Sequence, residues 1–317
     1  MAHRHSSHQD PWVQLAINVG LTAVAHPMGY VKTLIQIGYE PLPPQLGRNA
    51  FFRKTLLLPG VAAYSKHIWK VDGFLGLYRG FVPRLCGTLS GSAVANRVSE
   101  KMDEFFPVTD QKDLEAMNNK SKGTAKISNA TFIQETCKLT VSHSCAVIVT
   151  HPFHVIAVRS MVQFIGRESK YSGWISPYSE VYSESGIKGF FVGLVPRLLQ
   201  DVLTLWLART LYQMFNSLLL HDKMSNISEL RSYAHAITGF IAGIVTYPLG
   251  LVSNIMAVNN SGLAAGSLPF MPVYSNWIGC WVDLRGKGLL KRGSSILFRK
   301  YEPSKMTMST MPLTPLD

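Results

Sequence analysis

His26-Pro27-Met28-Gly29-Tyr30-Val31-Lys32, His151-Pro152-Phe153-His154-Val155-Ile156 and Tyr247-Pro248-Leu249-Gly250-Leu251-Val252 decide the fold, because one pattern recurs three times at a spacing of roughly a hundred residues. Each copy places a proline inside an apolar stretch. A proline within a helix removes one backbone hydrogen bond and bends the chain, and in a membrane the freed carbonyl must be met by neighbours. Three such bends at equivalent positions predict three helices closing around a centre.

Working outward, each proline segment is followed by a polar, amphipathic stretch and then by a glycine cue. The cues are Asp72-Gly73-Phe74-Leu75-Gly76-Leu77-Tyr78-Arg79-Gly80, Ser185-Gly186-Ile187-Lys188-Gly189-Phe190-Phe191-Val192-Gly193 and Lys287-Gly288-Leu289-Leu290-Lys291-Arg292-Gly293. The first two run on into an identical Val-Pro-Arg-Leu, at Val82 to Leu85 and Val195 to Leu198. Two cues in the same order, three times over, define three repeats, at about 11–106, 130–220 and 232–300. A polar tail (1–10) precedes this membrane domain of 11–300 and another (301–317) follows it. The Lys-rich stretch Thr109 to Ser128 reads as an exposed loop between the first two repeats.

Five apolar segments are long enough for a membrane helix, which needs roughly 20 residues: Trp12 to Ile37, Phe81 to Phe106, Phe132 to Ile165, Phe190 to Leu220 and Tyr233 to Val258. The second is the least apolar, diluted by Asn96, Arg97 and the Ser/Gly-rich run Gly87 to Ser92, whose small side chains permit close helix packing. Composition agrees: of 317 residues 47% are hydrophobic and only 16% charged, too apolar for an ordinary soluble domain. The basic surplus, 31 Lys+Arg against 19 Asp+Glu, collects in short segments such as Arg48 to Lys54 and Arg285 to Arg299. That pattern suits loops beside anionic headgroups and not nucleic acid, which calls for a basic stripe with interleaved aromatics.

No chemistry of the usual enzymatic kinds is encoded. Cys86, Cys137, Cys145 and Cys280 lack C-x-x-C spacing, so neither a disulfide framework nor a zinc site is expected. His143, His151, His154 and His235 are scattered without acidic or thiol partners, and a metal site is not expected from them. A Gly-rich phosphate loop, G-x-S-x-G and paired carboxylates on one face are all missing, so no cofactor and no enzyme are predicted. The N-terminus lacks a signal-peptide core, which leaves targeting to internal segments and the sequon at Asn129 without a route to glycosylation.

Prolines inside three spans, each followed by a glycine cue, resemble the repeat of the mitochondrial carrier family, with its acidic-glycine-aromatic-basic-glycine signature, over nearly the whole chain. The stretches His26 to Pro44, His151 to Tyr171, Gly189 to Leu199 and Leu251 to Asn260 resemble an atypical outer-membrane branch of that family. The resemblance implies a three-repeat helical bundle, and an insertase for α-helical and tail-anchored outer-membrane proteins that also docks truncated Bid.

The departures from the family pattern carry as much meaning as the matches. A transporting carrier has an acidic residue two positions after each proline, and these acids pair with basic residues beyond them to gate one end of the path. Here those positions are Gly29, His154 and Gly250, so the ring of ion pairs cannot form. The opposite gate's aromatic-acidic-x-x-basic pattern is also missing at Ala95 to Ser99 and Leu211 to Phe215. After Gly293, Arg299 to Lys305 breaks the remaining sequence with charge and proline, so the sixth transmembrane helix of a carrier is expected to be lacking and the lumen to open sideways to lipid.

The polar residues within spans are candidate groove residues, since an ionisable group there costs roughly 2.5–3.5 kcal/mol on insertion scales. Lys32 and Gln36 share one face of the first span, and Tyr247 and Asn254 share one face of the fifth. Asp201, whose short side chain cannot snorkel, joins them, whereas Lys32 has the reach to snorkel. Arg84 and Arg197, in the repeated Pro-Arg position, suit helix-end carbonyls or phosphate headgroups and read as structural or groove residues. Arg159 is either a cavity residue or a survivor of the lost gate. A groove of this kind would shelter the polar flank of a client helix while its apolar part enters the bilayer. A lipid scramblase using the same groove and a divergent solute carrier are the competing readings. Membrane lipids and client helices are the expected partners.

Overall fold

The computed structural model describes residues 11–48, 54–107, 129–173, 175–221, 228–295 and 299–301. The expected polar tails and the Thr109 to Ser128 loop lie almost wholly outside the described residues. Among the described residues five long helices are present: α1 (Pro11–Ile37), α3 (Phe81–Phe105), α4 (Asn129–Val162), α6 (Leu194–His221) and α7 (Ser228–Val258). Three shorter ones alternate with them: α2 (Val61–Gly76), α5 (Ser176–Ser185) and α8 (Trp277–Gly286). Among the described residues, Ala130–Val162, Ser176–Ser217 and Tyr233–Val258 are long and apolar enough to cross a membrane. α3 has the length, at 25 residues, but the dilution seen in its sequence keeps it less apolar.

α1, α4 and α7 each continue through their proline (Pro27, Pro152, Pro248). Beyond the prolines they converge, and the core lies there. Tyr30, Val31, Leu34 and Ile35 of α1, Val155, Val158 and Val162 of α4, and Leu251, Val252 and Ile255 of α7 are all buried in one cluster. α2 seals it with Val61, Tyr64 and Ile68, and α8 with Cys280 and Leu284. α8 starts where the Asn276 side chain accepts the Gly279 N–H at 2.7 Å, which satisfies an otherwise orphan first-turn donor. Before the prolines the first and last of these helices are open: Leu21 and Val24 of α1 and Ile237, Phe240 and Ile244 of α7 are exposed. In a membrane such faces meet lipid.

The three glycine cues lock this closed end, and each does so in the same way. The residue before each proline reaches the carbonyl before each cue's last glycine. His26 Nε2–H donates to Arg79 O at 3.0 Å, His151 Nε2–H to Val192 O at 3.0 Å, and Tyr247 Oη–H to Arg292 O at 2.6 Å. The glycines that follow, Gly80, Gly193 and Gly293, have φ of 74°, 81° and 77°, a left-handed conformation that glycine alone adopts cheaply. Each also abuts the next repeat. A Cβ on Gly80 would lie 2.6 Å from Ala157 O, one on Gly193 2.7 Å from Ser253 O, and one on Gly293 3.0 Å from Gln36 Cγ. First touches second, second touches third, and third touches first, so the repeats form a closed ring at this end.

A small sheet departs from a purely helical architecture. β1 (Gln45–Arg48) and β2 (Lys54–Leu58) pair antiparallel, and β3 (Arg299–Lys300) pairs antiparallel with β2 through Leu57 opposite Lys300. Arg299 anchors it by bonding the Glu40 carboxylate and Pro59 O. Burial pulls the Arg299 guanidinium down to about 10, still charged at neutral pH. No helix follows α8 among the described residues; from Gly288 the chain turns through Gly293 toward β3.

Candidate functional site

The centre of the bundle holds a cavity of about 430 Å³ just above the closed end. Its walls come from α1 (Gly29, Lys32, Thr33, Gln36), α3 (Arg84, Gly87, Thr88), α4 (Thr150, His154), α6 (Arg197, Gln200) and α7 (Tyr247, Gly250, Ser253, Asn254). Polar side chains therefore arrive from all five long helices, an expensive arrangement inside a membrane domain and one that marks a functional site.

Four of the five candidate groove residues meet here: Lys32, Gln36, Tyr247 and Asn254. Helical spacing puts Lys32 and Gln36 one turn apart on the inner face of α1, and Tyr247 and Asn254 two turns apart on that of α7. Gln36 Nε2 donates to Tyr247 Oη at 2.9 Å, and Asn254 Nδ2 donates to Gln36 Oε1 at 2.7 Å. Arg292 adds two bonds to Gln36 O, at 2.9 and 2.6 Å. Lys32 Nζ sits 5.2 Å from the Tyr247 ring centre, in reach of a cation–π contact. The floor of the cavity is thus closed by hydrogen bonds among Gln36, Tyr247 and Asn254, with the Arg292 guanidinium behind Gln36.

Asp201 does not line the cavity. It lies one helical turn beyond Arg197 along α6, and its Oδ2 faces His143 Nδ1 of α4 at 3.6 Å. Sequence placed it on the right helix; the depth at which the cavity ends along α6 excludes it. Arg159 is not a cavity residue either. It is 1% exposed and points away from the lumen, donating to Ala257 O at 2.9 Å and Tyr171 Oη at 3.1 Å, with Glu184 Oε2 at 3.3 Å. Its role is to bind α4 to α7 and to α5.

Arg84 and Arg197 both line the cavity. The Arg84 guanidinium rests directly on Gly29, in the space a side chain there would fill. Arg197 Nη1 donates to His151 Nδ1 at 3.3 Å, which fits the Nε2–H tautomer already required by the Val192 bond. The third former acidic position repeats the motif with a neutral group, since the Gln200 amide rests on Gly250. Gln200, Thr33, Thr88, Thr150 and Ser253 escaped the sequence reading. Gln200 had a signal, lying three residues after Arg197 and so on nearly the same helix face; the small hydroxyls had none. His154 Nε2 is buried without a hydrogen-bond partner among the described residues. Among those residues no group of His, Cys, Asp or Glu could hold a metal ion.

The family described as "Mitochondrial carrier protein" matches residues 16–109 and 128–223. "Mitochondrial carrier homolog 2" of Homo sapiens is 46% identical over 293 residues, 90% of this chain and 93% of its own length. "Mitochondrial carrier homolog 1" of Mus musculus is 40% identical over 303 residues, covering 90% of this chain and 76% of its own. "Mitochondrial thiamine pyrophosphate carrier 1" of Neurospora crassa is 24% identical over 302 residues, 90% of this chain and 84% of its own. The third repeat lies beyond the two matched stretches, yet its Tyr247–Arg292 bond has the same geometry as its two counterparts.

Proposed function

Because this chain belongs to the mitochondrial carrier family, we propose that it is a carrier-derived insertase of the outer mitochondrial membrane, which passes α-helical and tail-anchored proteins into the bilayer. The coarser statement, a mitochondrial membrane protein of carrier type, follows from the family and the apolar helices. The observation that carries the finer one is the polar cavity itself. It is walled by Lys32, Gln36 and Asn254 and flanked by helices that expose Leu21 and Val24 of α1 and Ile237, Phe240 and Ile244 of α7, with no described element after α8 returning across the bundle. A charged residue on a client helix loses roughly 2.5–3.5 kcal/mol on insertion scales in crossing hydrocarbon. A polar groove beside lipid lowers that barrier, and each 1.4 kcal/mol removed is worth about tenfold in rate. No energy source is needed for a downhill insertion.

Solute transport is disfavoured by Gly29, His154 and Gly250, which leave the carrier gate without acids. Lipid scrambling is the second reading, favoured by the three cations at the cavity, which suit phosphate headgroups. We also carry truncated Bid forward as a partner from the family resemblance, to be checked by its binding to the reconstituted protein. The decisive experiment measures protease-protected insertion of a tail-anchored client into liposomes holding the purified protein. Lys32→Glu is expected to change the insertion rate while melting behaviour stays that of the native protein. Equal rates for native and Lys32→Glu protein, or uptake of a small metabolite into sealed liposomes, would overturn the reading.

A further inference from the structure

Three cations, Lys32, Arg84 and Arg197, line the cavity, and its lining contains no carboxylate. No ion pair to any of the three exists among the described residues; the acidic side chain on the same wall, Asp201, stands outside the lining beside His143. The reason is visible at the proline repeats. Two of the three family acidic positions are glycines, and at Gly29 the Arg84 guanidinium has moved into the vacant room. The third holds His154, whose Nε2 is buried without a hydrogen-bond partner among the described residues. Of the gate's basic positions only Lys32 keeps its charge, its counterparts being Ala157 and Ser253, while Arg84 and Arg197 come from the repeated Pro-Arg sites of α3 and α6; cations lining a cavity with no carboxylate in its wall draw an anion strongly.

We propose that the missing carboxylate is supplied in trans: the cavity selects client helices that carry Asp or Glu within the membrane span and disfavours those carrying Lys or Arg there. This rests on the insertase reading and names the client class for the same site. A client carboxylate in the cavity has Lys32 on the α1 wall beside Tyr247 and Arg84 over Gly29 within its lining. On the floor, the amide groups of Gln36 and Asn254 each spend one N–H on the bonds described and have a second to offer the carboxylate's other oxygen. A client ammonium finds like charge and no acceptor acid.

The test uses purified full-length protein in phosphatidylcholine liposomes and three tail-anchored clients that differ at one mid-span position, Glu, Gln or Lys. Protein-free liposomes give the baseline. The expected order of protein-dependent rates is Glu, Gln, Lys, with the Glu client on the order of fivefold faster than Gln, the upper end for a half-exposed ion pair. Gly29→Asp, which places a carboxylate against Arg84 in cis, is expected to abolish the Glu advantage. If that variant does not fold, Arg84→Gln carries the same expectation. Equal Glu and Gln rates on the native protein, or a Glu advantage that survives either folded variant, overturns the proposal and leaves the insertase reading standing. If no client exceeds the baseline, both fall together. Equal Glu and Gln rates accompanied by lipid crossing that slows in Arg84→Gln assign the cations to lipid phosphate, and overturn the client assignment.

Discussion

Replacing Gly193 with alanine tests the ring of repeats at a single carbon atom. Two costs add there. The left-handed φ of 81° costs an alanine about 1–2 kcal/mol. The new Cβ also lies 2.7 Å from Ser253 O and 3.3 Å from Met256 Cβ; a backbone carbonyl cannot swing aside, so α6 and α7 must separate, at about 1–3 kcal/mol for overpacking. Gly186 supplies the control: its φ of 61° and ψ of −155° also suit glycine almost alone, but nothing lies within 4 Å of its Cβ position. Gly193→Ala is therefore expected to cost about 2–5 kcal/mol and Gly186→Ala about 1–3 kcal/mol. At about 2 °C per kcal/mol for a chain of this size, melting in detergent should fall by about 4–10 °C against about 2–6 °C. Gly80→Ala, which meets Ala157 O at 2.6 Å, should match Gly193→Ala, and Gly293→Ala should fall between, because Gln36 Cγ is a side-chain atom that can yield. If Gly193→Ala melts no lower than Gly186→Ala, the glycine cues do not hold the repeats together and the reasoning fails.

Two further outcomes concern the same end of the molecule. Arg299→Ala strands the buried Glu40 carboxylate and should cost about 3–5 kcal/mol, whereas the double change with Glu40→Ala should cost clearly less than the sum of the singles; additivity within about 0.5 kcal/mol in denaturant titrations would show that the pair is not coupled. Tyr247→Phe leaves Arg292 O and Gln36 Nε2 short of a partner each and should destabilise by about 1–3 kcal/mol, read as a lowered melting temperature; a melt unchanged from the native protein would mean water replaces the hydroxyl.

The repeats were legible in sequence because proline and left-handed glycine are local requirements: Pro27, Pro152 and Pro248, and Gly80, Gly193 and Gly293, announce their backbone geometry wherever they stand. The shared faces of Lys32 with Gln36 and of Tyr247 with Asn254 were legible for a similar reason, helical period. That Gln36 bonds both Tyr247 and Asn254 was not, since it depends on how two helices more than 200 residues apart in the chain are set against each other. Asp201 went astray because period fixes direction around a helix, not the depth at which a cavity stops. Arg159 left its alternatives open for want of Glu184 and Tyr171, which come from a separate segment. The sheet gave no signal at all: β3 is two residues long and its pairing with β2 spans most of the chain.

The ring of three repeats has a consequence for biogenesis. Covalent linkage joins the first repeat to the second and the second to the third, but the joint from third to first is made without it, by Tyr247 and Asn254 bonding Gln36 and by Arg292, Gly293 and β3 reaching back to Gln36, Glu40 and Leu57. Those partners are among the first and last parts of the bundle to be synthesised. The first repeat's side of the joint therefore stays uncapped until the third repeat has been made, and closing the ring is a late step of high contact order.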